Sequence, residues 1–160
     1  MIKARLTDIP VLSGYLHDAE MNLRDVNYVE SDRSLHVRLL RIHHEEPKRG
    51  RFLFLFPVVR YRYMPSLLTV TQVAGIEFKR PGRRRGPPDV GLLLVCVCRR
   101  DNDDVCLETD SLDIVVHASA DADLILQDDP KPQDRYCVVD LGRRPLFSGM
   151  DEIDKLRVND

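Results

Sequence analysis

The sequence predicts an α+β protein, mainly β, with one N-terminal helix packed on an antiparallel sheet of six to eight strands that is curled or barrel-like. Three observations lead to this fold class. Residues 8–19 carry apolar side chains at helical spacing. Beyond residue 24 the apolar period shortens towards two, which is typical of strands. No helical pattern separates the later strands, which disfavours a parallel strand–helix–strand architecture.

The helix has a recognisable start. Thr7 or Asp8 can cap its first turn, and Pro10 suits that turn because its missing N–H would have no partner there. The apolar stripe consists of Ile9, Leu12, Leu16 and Ala19. Gly14 costs about 1 kcal/mol of helix propensity relative to alanine, so packing against the sheet must stabilise this helix.

The strands are expected in hairpins. Residues 25–30 and 35–44 flank a polar turn, and residues 90–99 and 105–108 flank an acidic one. Pro57 interrupts residues 51–63, which predicts two short strands or one bent edge strand because proline cannot donate to a ladder. A further strand is predicted over residues 67–78, followed by a loop over 80–88.

Two later segments differ in their apolar pattern. Residues 90–98 are apolar at both parities, which predicts a central strand covered on both faces, with the helix on one of them. Residues 112–118 alternate between apolar and polar, as in a strand with one buried face. The same parity continues to residue 126, so one long strand or two strands joined near residues 120–121 would fit.

A chain of 160 residues suits one domain with its own core. We expect a single β-rich domain over residues 1–130. Residues 131–160 form a C-terminal extension, partly ordered or packed on the domain or on a neighbouring subunit. Within it, residues 136–141 could form a short strand and residues 151–158 a frayed helix or a disordered tail.

Composition excludes several classes of protein. The longest apolar run, residues 91–98, is far shorter than the roughly 20 residues of a membrane helix, so no membrane association is expected. The N-terminus lacks the apolar segment of a secretory signal, which favours a cytoplasmic location. Four cysteines are few for a disulfide scaffold, and we expect buried, reduced thiols. No cofactor is predicted.

The charges divide the chain in two. Residues 1–100 contain 18 Lys+Arg and 10 Asp+Glu, whereas residues 101–160 contain 6 and 16, although the whole chain has a net charge of only −2. Such asymmetry either closes within the fold or presents basic and acidic faces to partners. The leading hypothesis is therefore a non-enzymatic binding domain with a protein partner, including self-association through complementary charged faces.

Nucleic-acid binding is the second hypothesis. Residues 79–88 combine arginines with prolines and glycines, and Arg60 and Arg62 alternate with Tyr61 and Tyr63, so that cations could pair with phosphates beside stacking rings. The binding residues would be Arg60, Arg62, Arg80, Arg83, Arg84 and Arg85. A solvated hairpin tip explains the same arginines without any ligand, and the acidic pI favours that alternative.

A small thiol- or metal-dependent enzyme is the third hypothesis. It would use His43, Glu45 or the thiols of Cys96, Cys98 and Cys106. The alternate positions Cys96 and Cys98 share a face of a strand, with Cys106 across the hairpin. Their sulfurs are nevertheless expected to be spread too far for zinc, and the apolar neighbours favour packing. We therefore predict no catalytic residue and no metal site.

Histidines offer further acid/base candidates. His43 and His44 are adjacent, so on a strand they point to opposite faces and cannot both bind one ion. His17 and His117 could assemble with Asp18 or Asp113 into an acid/base pair. The sequence does not bring the two histidines together.

The order of elements resembles that of an uncharacterised family of small bacterial proteins. The resemblance rests on the helix at residues 8–19, the passage 16–21 into the hairpin 25–44, and the strand at 67–78, and it covers about residues 5–128. It implies a compact bacterial cytoplasmic domain with one N-terminal helix and a β-meander. It implies no functional residues, and the segment 80–88 and the tail after residue 130 depart from the family.

Overall fold

A computed structural model describes residues 1–52, 56–80, 91–100, 104–131 and 133–140; at residues 45–47, 52, 56–57 and 133–140 only the backbone is described. A short 3₁₀ helix, Leu6–Asp8, leads into α1, Ile9–Leu16. The strands are β1 Ile2–Arg5, β2 Ala19–Val29, β3 Ser34–Phe52, β4 Phe56–Val70, β5 Val73–Lys79, β6 Leu92–Arg99, β7 Val105–Thr109, β8 Asp113–Ala118, β9 Asp123–Asp128 and β10 Gln133–Asp140.

All strand pairings in the described residues are antiparallel, which confirms the predicted sheet. The strand order is β1-β9-β4-β3-β2-β6-β7-β8-β5, and β10 also pairs with β4. In the described part of the chain the sheet is not closed and has ten strands, so the prediction of six to eight was too low. The number was underestimated because β1, which is only four residues long, was not predicted and because residues 112–126, for which one strand or two would fit, form two strands.

The strand predicted over residues 67–78 is divided at a corner formed by Thr71 and Gln72. Gln72 has a positive φ of 55°, which interrupts the extended backbone between β4 and β5. The connection between β8 and β9 is hydrogen-bonded to the same corner. The Thr71 N–H donates to Asp123 O, and the Ser119 N–H donates to Gln72 O. The second alternative for residues 112–126, two strands joined near 120–121, is therefore correct.

The N-terminal helix is confirmed, but it ends at Leu16 rather than at residue 19. Asp18 has a positive φ of 60°, and Ala19 already pairs with Leu94 in the sheet. Asp8 does not cap α1 with its side chain, which instead accepts a hydrogen bond from the Arg5 N–H at 3.2 Å.

One core lies between α1 and the sheet. The helix contributes the buried side chains Ile9, Leu12 and Leu16. Fully buried large side chains from the strands pack against them; they include Leu35, Leu68, Leu92, Leu94, Leu107, Ile114, Leu124 and Leu126. Each fully buried side chain of this kind contributes about 1.5–3 kcal/mol through loss of apolar surface from water.

The described part of residues 51–63 falls in two strands, as one of the predicted alternatives has it, but both strands are long, and β4 is neither interrupted at Pro57 nor an edge strand. β3 ends at Phe52 and β4 starts at Phe56, and β4 then continues through Pro57 and Pro65 to Val70. Pro65 is tolerated because it falls between the part of β4 that pairs with β10 and the part that pairs with β9. Its missing N–H therefore lies at the junction of those two strands.

β6 is not covered on both faces, contrary to the prediction for residues 90–98. Leu94 and Val97 are buried, whereas Leu93 and Val95 are exposed. The register with β7 shifts between Leu94 and Cys96, so an extra residue forms a β-bulge there. The bulge moves the buried positions from even to odd residue numbers, which explains why both parities are apolar in the sequence.

The start of the predicted C-terminal extension joins the sheet. β10 pairs with β4 through residues 133 to 140, and it includes most of the strand predicted at 136–141. Residues 141–160 lie outside the described residues, as does the predicted tail at 151–158. In the part of the chain that is described, no helix has the length and apolar character needed to span a membrane.

Candidate functional site

Exposed cations lie near the end of the β3–β4 hairpin. Lys48, Arg49 and Arg51 on β3 and Arg60 on β4 are exposed, and we call these four residues the basic hairpin end. Lys48 lies opposite Arg60 in the register. No ion pair joins the four cations to any acidic side chain that the structure describes. Like charges directly opposite each other are unfavourable, so this surface would gain from an acidic partner.

The predicted binding arginines fall into separate places. Arg60 and Arg62 share one face of β4, where Arg62 lies opposite His43 and is only half-buried. Arg80 is exposed directly after β5, an edge strand beyond the corner from β4. Arg83, Arg84 and Arg85 lie outside the described residues. The described sheet therefore brings together Arg60 and Arg62.

A second polar region lies on the outer face of β6, β7 and β8. We call it the thiol–carboxylate cluster; its members are Cys96, Cys98, Arg100, Cys106, Glu108 and Asp113. The register produces it directly, since Cys98 lies opposite Cys106 and Glu108 lies between Cys96 on one side and Asp113 on the other.

The bulge in β6 is what turns the two alternating thiols outwards. Leu94 faces the core, so without the extra residue Cys96 and Cys98 would also face it. Helix α1 holds the bulged segment, because the Val97 N–H donates to Ser13 Oγ at 2.9 Å. The sequence-based expectation of buried packing is therefore wrong for Cys96 and Cys98, which are partly exposed, and correct for Cys106.

Glu108 is the centre of the cluster. The Cys96 Sγ–H donates to Glu108 Oε2 at 3.3 Å, and the Cys98 Sγ–H donates to Glu108 Oε1 at 3.5 Å. Arg100 Nη2 lies 3.4 Å from Glu108 Oε1 and 3.1 Å from Asp113 Oδ2. A half-exposed guanidinium thus bridges the two carboxylates that flank the buried Cys106.

Burial, together with these contacts, favours the protonated form of the thiols. Burial, reinforced by the hydrogen bond to Glu108, raises the pKa of Cys96 to about 12. Burial also raises the pKa of Cys106 to about 12 and raises that of Cys98. The hydrogen bond from Cys96 is the largest cause of the lowered pKa of Glu108. Because the thiolate is the nucleophile, thiols in this state are poor nucleophiles at neutral pH.

The histidines do not assemble with the thiols. His117 Nδ1 lies 3.1 Å from Asp104 Oδ1, so the proposed pairing with Asp113 is wrong, since Asp113 binds Arg100 instead. His17 Nδ1 does lie 3.1 Å from Asp18 Oδ2, as expected from their adjacency.

The other histidine motif lies on β3. His44 makes an edge contact with Tyr61 at a ring-centroid distance of 5.0 Å, whereas His43 lies opposite Arg62. The side chain of Glu45 lies outside the described residues.

Sequence reasoning missed Glu108 and Asp113 as members of the cluster. The signal for Glu108 was available, because a hairpin that places Cys98 opposite Cys106 also places Cys96 opposite Glu108. The position of Asp113 beside Glu108 depends on the tight turn between β7 and β8. In that turn the Leu112 N–H donates to Thr109 Oγ1 at 2.9 Å. Nothing in the local sequence indicated that Arg100 would bridge the two carboxylates.

Ion pairs within the fold neutralise part of the charge asymmetry between the two parts of the chain. Lys3 pairs with Asp123 at 2.8 Å, because β1 lies beside β9. Arg41 on β3 binds Asp128 at the end of β9 through two hydrogen bonds, at 2.9 and 2.7 Å. Arg100 pairs with Glu108 on β7 and with Asp113 on β8. Cations of the first 100 residues thus neutralise acids of the last 60 at several points.

No protein-family model, no curated protein and no solved structure matches this chain. The resemblance to the family of small bacterial proteins therefore stays a prediction.

Proposed function

We propose that the protein is a non-enzymatic binding domain that associates with an acidic protein surface, in the first place that of a second copy, through the basic hairpin end. The observation that carries this proposal is the set of four exposed cations, Lys48, Arg49, Arg51 and Arg60, without ion pairs among the described side chains. Charge complementarity of this kind steers association and fixes orientation.

A second copy supplies the required counter-charge. Residues 101–160 carry 16 acidic against 6 basic residues. The internal ion pairs occupy Asp123, Asp128 and Asp113, whereas Asp110, Asp121 and Asp129 remain exposed. Each subunit would thus offer both a basic surface and acidic side chains, as complementary association between copies requires.

The chemistry of the thiols supports the non-enzymatic part of the proposal. The raised pKa values of Cys96 and Cys106 work against a nucleophilic role at neutral pH. A general base near those thiols would be needed to activate them, and Glu108, the carboxylate that Cys96 contacts, has a lowered pKa.

Sedimentation velocity of the full chain tests the proposal. We expect dimers at about 50 mM salt that dissociate at about 500 mM, because exposed charges interact weakly beyond the shortened Debye length. The double variant Arg49→Glu/Arg60→Glu should weaken association by at least about tenfold, since it creates like-charge contacts with the acidic surface.

Arg24→Glu is the matched control. Arg24 is exposed on β2, so the variant reverses one charge away from the basic hairpin end and is compared with the single variants Arg49→Glu and Arg60→Glu, each of which should weaken association more. It should associate like the wild type. A monomer at both salt concentrations, or equal weakening by the control, would overturn the proposal.

Nucleic-acid binding is the second candidate, favoured by the half-buried Tyr61 and Tyr63 that alternate with Arg60 and Arg62 on β4. Filter binding of a single-stranded oligonucleotide tests it. Affinity that falls steeply with salt, and that falls again in Arg60→Gln/Arg62→Gln, would support it. The absence of binding at about 50 mM salt would exclude it, since phosphate contacts are strongest at low salt.

A further inference from the structure

We infer that the thiol–carboxylate cluster is a site for a soft divalent cation of the zinc class, held by Cys96 Sγ, Cys98 Sγ and one carboxylate oxygen of Glu108. Cation binding at this cluster is independent of the proposed association through the basic hairpin end. It also differs from the sequence-based expectation, which placed the thiols too far apart and missed the carboxylate between them.

The geometry of the three donors fits a tetrahedral ion. Their ligand atoms all lie within 4.8 Å of one another; Cys96 Sγ lies 3.3 Å from Glu108 Oε2, and Cys98 Sγ lies 3.5 Å from the other oxygen, Oε1. In a tetrahedral zinc site, with Zn–S and Zn–O bonds of about 2.3 and 2.1 Å, sulfur and oxygen ligands are separated by about 3.6 Å. Each sulfur already lies near that distance from one oxygen of Glu108, and a shift of the carboxylate would bring a single oxygen towards both sulfurs.

The donor chemistry selects the class of ion. Two thiolates favour a soft or borderline cation over Mg²⁺ or Ca²⁺, which take oxygen ligands. Three protein donors leave a fourth position for water, as in zinc sites that are not closed. A second group of donors, Cys106, Glu108 and Asp113, shares Glu108 and also lies within 4.8 Å, so Asp113 or Cys106 is within reach of the same region.

Arg100 completes the charge balance. Two thiolates and one carboxylate carry three negative charges against the two positive charges of the ion. The guanidinium of Arg100, 3.4 Å from Glu108 Oε1, supplies the remaining positive charge and orients the carboxylate from its outer side. Binding would replace the two Sγ–H hydrogen bonds to Glu108 with two sulfur–metal bonds, releasing both thiol protons to solvent.

The site is built on rigid elements. Cys96 and Cys98 lie on β6, which is held by β7 and by the Val97–Ser13 hydrogen bond to α1, and Glu108 lies at the centre of the β6–β7–β8 ladder. The three donors are partly exposed, so an ion can enter from solvent.

The test uses the full chain, stripped with a chelator and kept reduced. Zn²⁺ is titrated against a chromophoric chelator, and Co²⁺ is added separately to detect the near-ultraviolet charge-transfer band of thiolate–cobalt bonds. We expect one ion per chain and a band in the wild type. Cys96→Ser, Cys98→Ser and Glu108→Gln should each weaken Zn²⁺ binding by at least about 100-fold, the upper range for residues that merely support a ligand.

Cys137→Ser is the matched control, because it removes one thiol from β10, a strand that among the described residues pairs with β4 and not with β6 or β7. It should bind Zn²⁺ like the wild type. Alkylation of the native protein followed by mass spectrometry gives a readout that does not depend on the variants: Zn²⁺ should protect Cys96 and Cys98 together. No Zn²⁺ binding, no cobalt band, or binding unchanged in the cluster variants would overturn the inference.

Discussion

Two regions of the molecule use an arginine to hold acidic side chains from the last 60 residues, and they differ in burial. Arg41 on β3 is 1% exposed and binds both oxygens of Asp128, which also accepts the Ser66 hydroxyl at 2.6 Å. Arg100 after β6 is 39% exposed and reaches Glu108 and Asp113 over a group of thiols.

This difference in burial separates an ion pair that stabilises the fold from one whose groups are available to bind a ligand. The carboxylate of Asp128 is engaged by Arg41 and Ser66, and the ring of Tyr15 lies 5.8 Å from the guanidinium, so the pair has little capacity for a further ligand. Glu108 instead accepts its contacts from thiols and from a half-exposed arginine, all of which solvent or an ion can replace. The same pairing of charges thus stabilises one region and forms a binding site in the other.

Breaking the buried pair should give the largest effect. Asp128→Asn keeps the shape of the side chain but removes the charge that faces the buried Arg41. We expect a loss of about 3 kcal/mol in the free energy of unfolding, the lower end for a broken buried pair because Asp128 is still 28% exposed. Urea denaturation measures it, and a loss below about 1 kcal/mol would show that the pair behaves like a surface contact.

The same pair predicts a dependence on acid. Burial opposes ionisation of Asp128, but the hydrogen bonds from Arg41 and Ser66 outweigh it and hold the pKa of Asp128 below its usual range. A lowered pKa stabilises the fold above the unfolded value of about 4 and loses that contribution as the pH falls through the folded value. Denaturation at a series of pH values should therefore show the difference between the wild type and Asp128→Asn shrinking below about pH 4. A difference that stays constant there would contradict this assignment.

The exposed arginine should give the smallest effect on stability. Arg100→Gln removes the ion pairs to Glu108 and Asp113, but both partners keep contact with solvent. We expect a change of less than about 0.5 kcal/mol in the free energy of unfolding, as for other surface pairs. Thermal and urea denaturation of Arg100→Gln and Asp128→Asn, measured side by side, compare the contributions of the two regions to stability. An equal loss in both variants would remove the distinction between them.

Much of the fold could be predicted because its signals are local. The apolar stripe of Ile9, Leu12 and Leu16 predicted the helix, and the alternation of apolar and polar residues over 112–118 predicted β8. The bulge at Val95 could not be foreseen, since one inserted residue changes which side chains face the core without leaving a composition signal. The break between β4 and β5 depended on a positive φ at Gln72, a residue type with no preference for it.

The site was predicted less well than the fold. The proximity of Cys96, Cys98 and Cys106 followed from strand spacing and hairpin pairing. Their hydrogen bonds to Glu108 and the bridge from Arg100 to Asp113 required the register of three strands together.

By itself, the amino-acid order determined that this chain has a helix at its start, antiparallel strands after it, and cations and acids segregated along its length, because period, propensity and charge are properties of neighbouring residues. Which acids meet which cations was decided only by the tertiary structure. Strand order places β9 beside β4 and β7 beside β6, and burial then separates a stabilising ion pair from a cluster of donors open to solvent.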